Sequence, residues 1–261
     1  MNITVIGGGN MGGATARGLA QGAVAPENLT VSDPSQTTLD SIHRFCDKIR
    51  TTSDNAAAAK EADIVIVAVK PWLVEPVLEG ILPVLDLKRQ LLVMIAAGVD
   101  FAHIRSYIHN DSCPLFRIIP NTAIAIRESL TLMSVDKATQ EQTSLIKNLF
   151  DHLGHTVLIE ERLMTEGTAV TSCGIAYAFQ YIKAAMQGAI ELGFYPKTAQ
   201  EMIDQTIVGA IRLMEANHSI PDEEIYKVCT PGGVTIKGLN EMAAKGFDDA
   251  VISGLKKAAG R

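Results

Sequence analysis

Residues 2–12 read Asn-Ile-Thr-Val-Ile-Gly-Gly-Gly-Asn-Met-Gly, and they constrain the chain more than any other stretch. Ile3, Val5 and Ile6 form a short β-branched run that suits a strand buried in a parallel sheet. The chain then passes through Gly7-x-Gly9-x-x-Gly12 into residues 14–20, which have helical character. In such a turn the first glycine allows the tight bend, the second lets backbone approach a pyrophosphate, and the third lets helix pack on strand. Free N–H groups and the positive dipole end at the helix start then hold phosphates. A chain with 21 glycines could contain this spacing by chance, as part of an ordinary βαβ turn. Here, however, a second strand-like run, 29–33, ends in Asp33, about 20 residues beyond Gly12, where an acid meets the adenosine ribose. The expectation is a dinucleotide site.

The remaining bulk properties exclude more than they assign. A chain of 261 residues can bury roughly 70–75% of its unfolded surface, as one large domain or two. A net charge of −6 without any basic block argues against nucleic acid and anionic membranes as partners. No apolar run approaches the ~20 residues needed to cross a bilayer. With the first strand beginning at residue 2, no signal peptide is expected. Cys46, Cys113, Cys173 and Cys229 lie far apart, without paired spacing, so neither a zinc site nor a disulfide framework is expected. Reduced thiols in the cytoplasm are the simplest account.

Along the chain, residues 35–46 read as a helix capped by Ser35, and 55–61 as a short Ala-rich helix capped by Asp54. The β-branched run 63–69 fits a central parallel strand, stopped by Lys70-Pro71. A helix over 73–85, a strand over 91–97, a helix to residue 108 capped by Asp100 and a strand over 115–119 follow. Two edge strands, 130–135 and 156–159, flank a helix over 139–153. This alternation predicts an α/β fold with an N-terminal Rossmann-type doubly wound parallel sheet through residue 160. Beyond it, Ile175, Phe179, Ile182, Met186 and Ile190 fall at helical spacing, as do Met202, Ile203, Ile207, Ile211 and Met214. Residues 161–261 are therefore expected to be an all-helical domain, with helices over 162–192 (broken near Gly174), 197–217, 221–228, 234–245 and 248–258. Apolar surface in excess of what one helical layer covers predicts pairing across a two-fold. The expected assembly is a homodimer, with a ring of dimers as the larger alternative.

Thr230-Pro231-Gly232-Gly233-Val234-Thr235 is the other stretch of unusual chemistry. Two glycines opening onto a helix present bare N–H groups to a carboxylate, with threonine hydroxyls on either side. A plain helix–loop–helix turn is an equal account on local features. The six histidines are scattered and none forms an i, i+4 pair, so no metal site is expected. Tyr177 reads as core and Lys183 as solvated or interfacial. Lys70 stands at the carboxyl end of a strand, where ligands of such sheets bind.

Gly-Gly-Gly-Asn-Met-Gly (7–12), Ala-Val-Lys-Pro (68–71), Ala-Ala-Gly (96–98), Pro-Asn-Thr (120–122) and Thr-Pro-Gly-Gly-Val-Thr (230–235) occur in this order. Together they resemble the pyrroline-5-carboxylate reductase family across nearly the whole chain. The resemblance implies that Gly7, Gly9, Asn10, Met11 and Gly12 cradle the pyrophosphate of NAD(P)H and that Asn55 lies near the adenosine ribose. It also implies that Ala68, Val69, Lys70 and Pro71 border the nicotinamide ribose, with Asn121 near the nicotinamide. Thr230, Gly232, Gly233, Val234 and Thr235 would hold the substrate carboxylate and ring. The sequence departs from the family pattern in Ala123, which follows Pro-Asn-Thr where a proline is usual. It departs again in Thr171-Ser-Cys-Gly-Ile-Ala-Tyr177, where Ser-Gly-Ser-x-Pro-Ala-Tyr is usual, and a Lys-Asp pair usual before residue 230 is missing.

The activity implied is reduction of 1-pyrroline-5-carboxylate to L-proline by hydride transfer to the cyclic imine. Asp33, with no Lys or Arg until Arg44, favours a ribose 2′-OH and hence NADH, whereas the family often uses NADPH. Reduction of another cyclic imino acid or of a 2-hydroxy acid on the same fold is an alternative. A catalytically silent nucleotide-binding scaffold is another.

Overall fold

In the computed structural model, which describes residues 1–261, the chain forms two compact units, Met1–Ser172 and Cys173–Arg261. The first contains β1 (Ile3–Ile6), α1 (Asn10–Ala20), β2 (Leu29–Ser32), α2 (Gln36–Phe45), β3 (Arg50–Thr52), α3 (Asn55–Lys60) and β4 (Ile64–Val67). It continues with α4 (Val74–Ile81), β5 (Leu91–Met94), α5 (Phe101–Ile108), β6 (Leu115–Ile119), β7 (Ser129–Asp136), α6 (Gln140–Asp151), β8 (Gly154–Leu158) and α7 (Met164–Thr171). The eight strands form one sheet in the order β3-β2-β1-β4-β5-β6-β7-β8.

Successive residues of a strand point to opposite faces, and here both faces are covered. Ile3, Val5, Ile64, Ile66, Leu91 and Val93 pack on one side with Leu19, Ile146 and Phe150. Ile6, Val65, Val67, Leu92 and Met94 pack on the other with Leu78, Ile81 and Ile104. That is why the central strands read as unbroken apolar runs rather than as alternation. The side chains of Ser35, Asp54 and Asp100 cap their helices as expected, accepting from the N–H groups of Thr38, Ala57 and His103. The His103 N–H holds the Asp100 carboxyl below its usual range.

The structure corrects several expectations. The sheet is not parallel throughout: β7 runs antiparallel to β6, and β8 runs parallel to β7. A tight 3-10 turn over Thr122–Ile126 returns the chain directly beside β6, where a crossover helix would have kept it parallel. β7 is consequently an interior strand, and the edges are β3 and β8. β3 itself, three residues with two threonines, carries no apolar pattern and escapes a sequence reading. The helix expected over 73–85 is a 3-10 turn, α4 and a second 3-10 turn, because Leu82-Pro83 cannot continue α4.

The second unit consists of α8 (Gly174–Glu191), α9 (Pro196–Asn217), α10 (Pro221–Val228), α11 (Val234–Ala244) and α12 (Phe247–Ala258). Of its residues only Ala199 is buried. Phe179 is 61% exposed and Ile211 49%, and Tyr177, expected in a core, is 37% exposed. No helix of either unit is long and apolar enough to cross a membrane.

The α9–α10 connection is pinned by Glu224, which accepts from Asn217 Nδ2 (3.0 Å), Ser219 Oγ (2.5 Å) and Lys227 Nζ (2.7 Å). The Lys227 bond, followed by those of Ser219 and Asn217, lowers the Glu224 carboxyl to about 2. A depressed carboxylate stabilises the fold above its unfolded pKa, and that contribution is lost as pH falls through about 2. A carboxyl-resonance titration by NMR is expected to place the Glu224 midpoint near this value. A midpoint near the usual glutamate range of about 4.3 would contradict the three-donor arrangement.

Candidate active site

The glycine turn divides its labour as its spacing requires. Gly7 adopts φ +97°, and a Cβ there would sit 2.6 Å from Ala68 O, so side-chain-free backbone lies against the end of β4. A Cβ on Gly12 would sit 1.9 Å from Gly7 O, which makes this glycine the packing contact between α1 and the turn. Gly9 differs, because nothing lies within 4 Å of its added Cβ. It is the N-cap of α1 and no side chain bonds into the helix start, so the first N–H groups of α1 are left for a ligand.

Around this turn opens a cleft of about 940 Å³, outside the carboxyl ends of the strands where the order reverses between β1 and β4. Gly7, Gly9, Asn10, Met11, Asp33, Asn55, Ala68, Val69, Lys70 and Pro71 all line it. Asp33 Oδ2 accepts from Gly8 N and its Oδ1 from Ser35 N, each at 2.8 Å, so this carboxylate also fixes the glycine turn to the end of β2. Ser32 Oγ donates to Asn55 Oδ1 at 2.6 Å, which leaves the Asn55 Nδ2 hydrogens for the cleft. Asp33 and Lys70 are the only charged side chains in the lining.

Two expected residues stand behind the wall. Gly12 is buried under the turn. Asn121 lies between the lining residues Pro120 and Thr122, but its Oδ1 accepts from Ala123 N at 3.0 Å and its own N–H donates to Ser129 Oγ at 3.1 Å. The structure adds Ser53, Ala96, Ala97, Thr122, Thr168 and Ser172 to the lining. The 96–98 motif pointed to the alanines. No local spacing marks Thr168 and Ser172, because α7 reaches the cleft only after the chain has completed β7 and β8.

In the second unit, Thr230–Gly233 is a type II turn: Pro231 occupies the second position, Gly232 the third with φ +72°, and Gly233 N donates to Thr230 O at 2.9 Å. A Cβ on Gly233 would lie 2.4 Å from Thr230 Oγ1 and 3.0 Å from Thr230 O, so the glycine lets the threonine hydroxyl close over the turn. Gly233 is then the N-cap of α11, again with no side chain bonded into the helix start. Val234 and Thr235 are exposed in the first turn. The block thus presents bare N–H groups and two hydroxyls, an arrangement suited to a carboxylate and a neighbouring polar atom.

Residues 161–261 match the family model for pyrroline-5-carboxylate reductase dimerisation, and residues 2–98 match that for NADP oxidoreductase coenzyme F420-dependent. Pyrroline-5-carboxylate reductase 2 of Dictyostelium discoideum is 32% identical over 97% of this chain and 89% of its own length. Pyrroline-5-carboxylate reductase 1 of the same organism is also 32% identical over 97% of this chain, which spans 48% of that longer protein. A solved pyrroline-5-carboxylate reductase from Coxiella burnetii superimposes with a TM-score of 0.92 at 27% identity, covering 100% of this chain and 96% of that one. With a cleft and a Pro-Gly-Gly turn where the motifs require them, and a relative nearly a third identical from end to end, the chain belongs to the pyrroline-5-carboxylate reductase family.

Proposed function

We propose that this protein reduces 1-pyrroline-5-carboxylate to L-proline with NAD(P)H. The observation that carries the reading is the 32% identity to a named reductase along 97% of the chain. Reduced nicotinamide, when bound, supplies the hydride. The bare N–H groups at the start of α1, with Gly7, Gly9, Asn10 and Met11, bind the diphosphate, and Gly12 holds α1 close enough to do so. Asp33 and Asn55 take the adenosine ribose, and Ala68–Pro71 border the nicotinamide ribose. Asn121 holds the loop that carries Pro120 and Thr122. The N–H groups of Gly232 and Val234 bind the substrate carboxylate beside Thr230, Gly233 shapes the turn with its own N–H given to Thr230 O, and Thr235 Oγ1 bonds to the ring nitrogen. A protonated imine needs orientation more than a strong acid, which fits a site without a catalytic histidine or carboxylate pair.

In this reading residues 1–160 bind the dinucleotide, while 161–261 provide dimerisation and substrate binding. The family match of 161–261 supports that division. The exposed apolar faces of α8, α9 and α12 support a homodimer, from which a ring of dimers can be built. The enzyme works in the cytoplasm on a small cyclic imino acid and takes no nucleic acid, metal or membrane partner.

Loss of reduced-cofactor absorbance on adding 1-pyrroline-5-carboxylate tests the activity. Cofactor binding without any consumption would instead favour the silent scaffold. Because Asp33 is the only charged residue where the lining includes Ser32, Pro34, Ser53 and Asn55, a 2′-phosphate meets a carboxylate and no cation there. The enzyme is therefore expected to prefer NADH in kcat/KM, and a tenfold preference for NADPH would overturn that expectation.

A further inference from the structure

Thr168 and Ser172 have no part in the roles assigned above, yet both line the cleft. They are four residues apart at the end of α7 and so share one face. Thr168 Oγ1 donates to Met164 O at 2.6 Å, and Ser172 Oγ donates to Pro120 O at 2.9 Å. A hydroxyl has a single hydrogen, so each of these has spent its donor on backbone and offers only lone pairs. Of the lining at this end, Ala96, Ala97, Ile119 and Pro120 carry no side-chain polar atom, Pro120 has no N–H, and Thr122 supplies the one other hydroxyl. That end of the cleft lies at β5 and β6. Asp33 and Asn55 stand at the β2 side, about four strand spacings or roughly 19 Å away. A dinucleotide with its adenosine ribose at Asp33 and its diphosphate at the glycine turn therefore extends its nicotinamide toward Thr168 and Ser172.

We propose that Ser172 and Thr168 accept hydrogen bonds from the carboxamide NH2 of the nicotinamide and so fix which way the ring lies in the cleft. The inference rests on the reading of the cleft as the dinucleotide site. Turning the carboxamide over would set its carbonyl oxygen against hydroxyl lone pairs with no hydrogen between them, so only one orientation is favoured. Ser172 stands where the family pattern has glycine, which makes this pair a property of this chain's own sequence.

The test compares binding of NADH with binding of the reduced 3-acetylpyridine analogue, in which a methyl group replaces the NH2. Calorimetry on the full-length protein is expected to give wild type at least about tenfold tighter binding of NADH, the order of one hydrogen bond lost with an acceptor left unpaired. In the double variant Ser172→Ala/Thr168→Val that ratio is expected to fall to within about twofold, through weaker NADH binding with the analogue unchanged. Each single variant should give an intermediate ratio, which keeps the test usable if the double variant does not fold, and Thr168→Ser should retain the full ratio. Equal weakening of both ligands would mean that the hydroxyls only tie α7 to the sheet, and would overturn the proposal. So would a ratio that survives in the variants, or wild type that does not discriminate. Failure of wild type to bind either compound would instead overturn the dinucleotide reading itself.

Discussion

Gly12→Ala is expected to raise the dissociation constant for reduced cofactor at least about hundredfold, equivalent to roughly 2.7 kcal/mol. The cause is steric and local. A Cβ at position 12 would stand 1.9 Å from Gly7 O and 2.9 Å from Ala68 Cβ, far inside contact distance, and the first of these is backbone that no rotamer change can move. α1 must lift away from the turn, and its first N–H groups move with it. Misplacement of binding groups by about 1 Å is enough for a loss of this size. Two companion variants isolate the cause. Gly9→Ala meets nothing within 4 Å in the protein, so it should keep the wild-type melting temperature and still lose binding, because its methyl projects into the proposed diphosphate site. Gly80→Ala, on α4 with equally open space, should bind normally and gain up to about 1 kcal/mol of stability from helix propensity. Calorimetric titration with melting curves distinguishes the three, and Gly12→Ala binding within fivefold of wild type would contradict the packing account.

The same glycine turn shows how far this sequence could be read. Buried parallel strands write themselves as apolar runs, so Ile3–Ile6, Ile64–Val67 and Leu91–Met94 were visible, and the caps Ser35, Asp54 and Asp100 marked where helices begin. The turn chemistry of Gly7, Gly9 and Gly12 is also local, since each conformation or close approach involves residues within a few positions or the end of the adjacent strand. What escaped depends on distant parts of the chain meeting. β3 is a polar strand held by pairing with β2, and the interior place of β7 follows from a turn that reverses the chain. Ser172 reaches the cleft through a bond to Pro120, 52 residues earlier. Tyr177 lies on an apolar helix and so reads as core, but composition and periodicity cannot say whether an apolar face is covered by the same chain.

Thr235→Ala is expected to fold, to bind reduced cofactor as wild type does, and to lose at least roughly tenfold in kcat/KM, about 1.4 kcal/mol of transition-state stabilisation. The competing account is that Thr235 serves α11. A threonine that caps a helix contributes about 1 kcal/mol to stability, and its removal lowers the melting temperature with little effect on turnover. The geometry weighs against that account. Gly233 is the N-cap of α11, Thr235 is its second helical residue, and no side chain bonds to the first turn. Thr235 is exposed beside a turn whose Gly232 has φ +72° and whose Gly233 packs under the Thr230 hydroxyl. Its hydroxyl is therefore available to a ligand held by the adjacent N–H groups. As hydride reaches the imine carbon, the ring nitrogen changes from a planar iminium to an amine, and a hydroxyl at this nitrogen is positioned to follow the change. An interaction made mainly in the transition state lowers kcat and kcat/KM together, whereas one made equally in the ground state raises KM alone. The expected signature is the first of these, with Thr235→Ser recovering most of the activity because the hydroxyl remains. An alanine variant with wild-type kinetics and a lowered melting temperature would return Thr235 to a purely structural role. The carboxylate would then be left to the Gly232 and Val234 N–H groups alone.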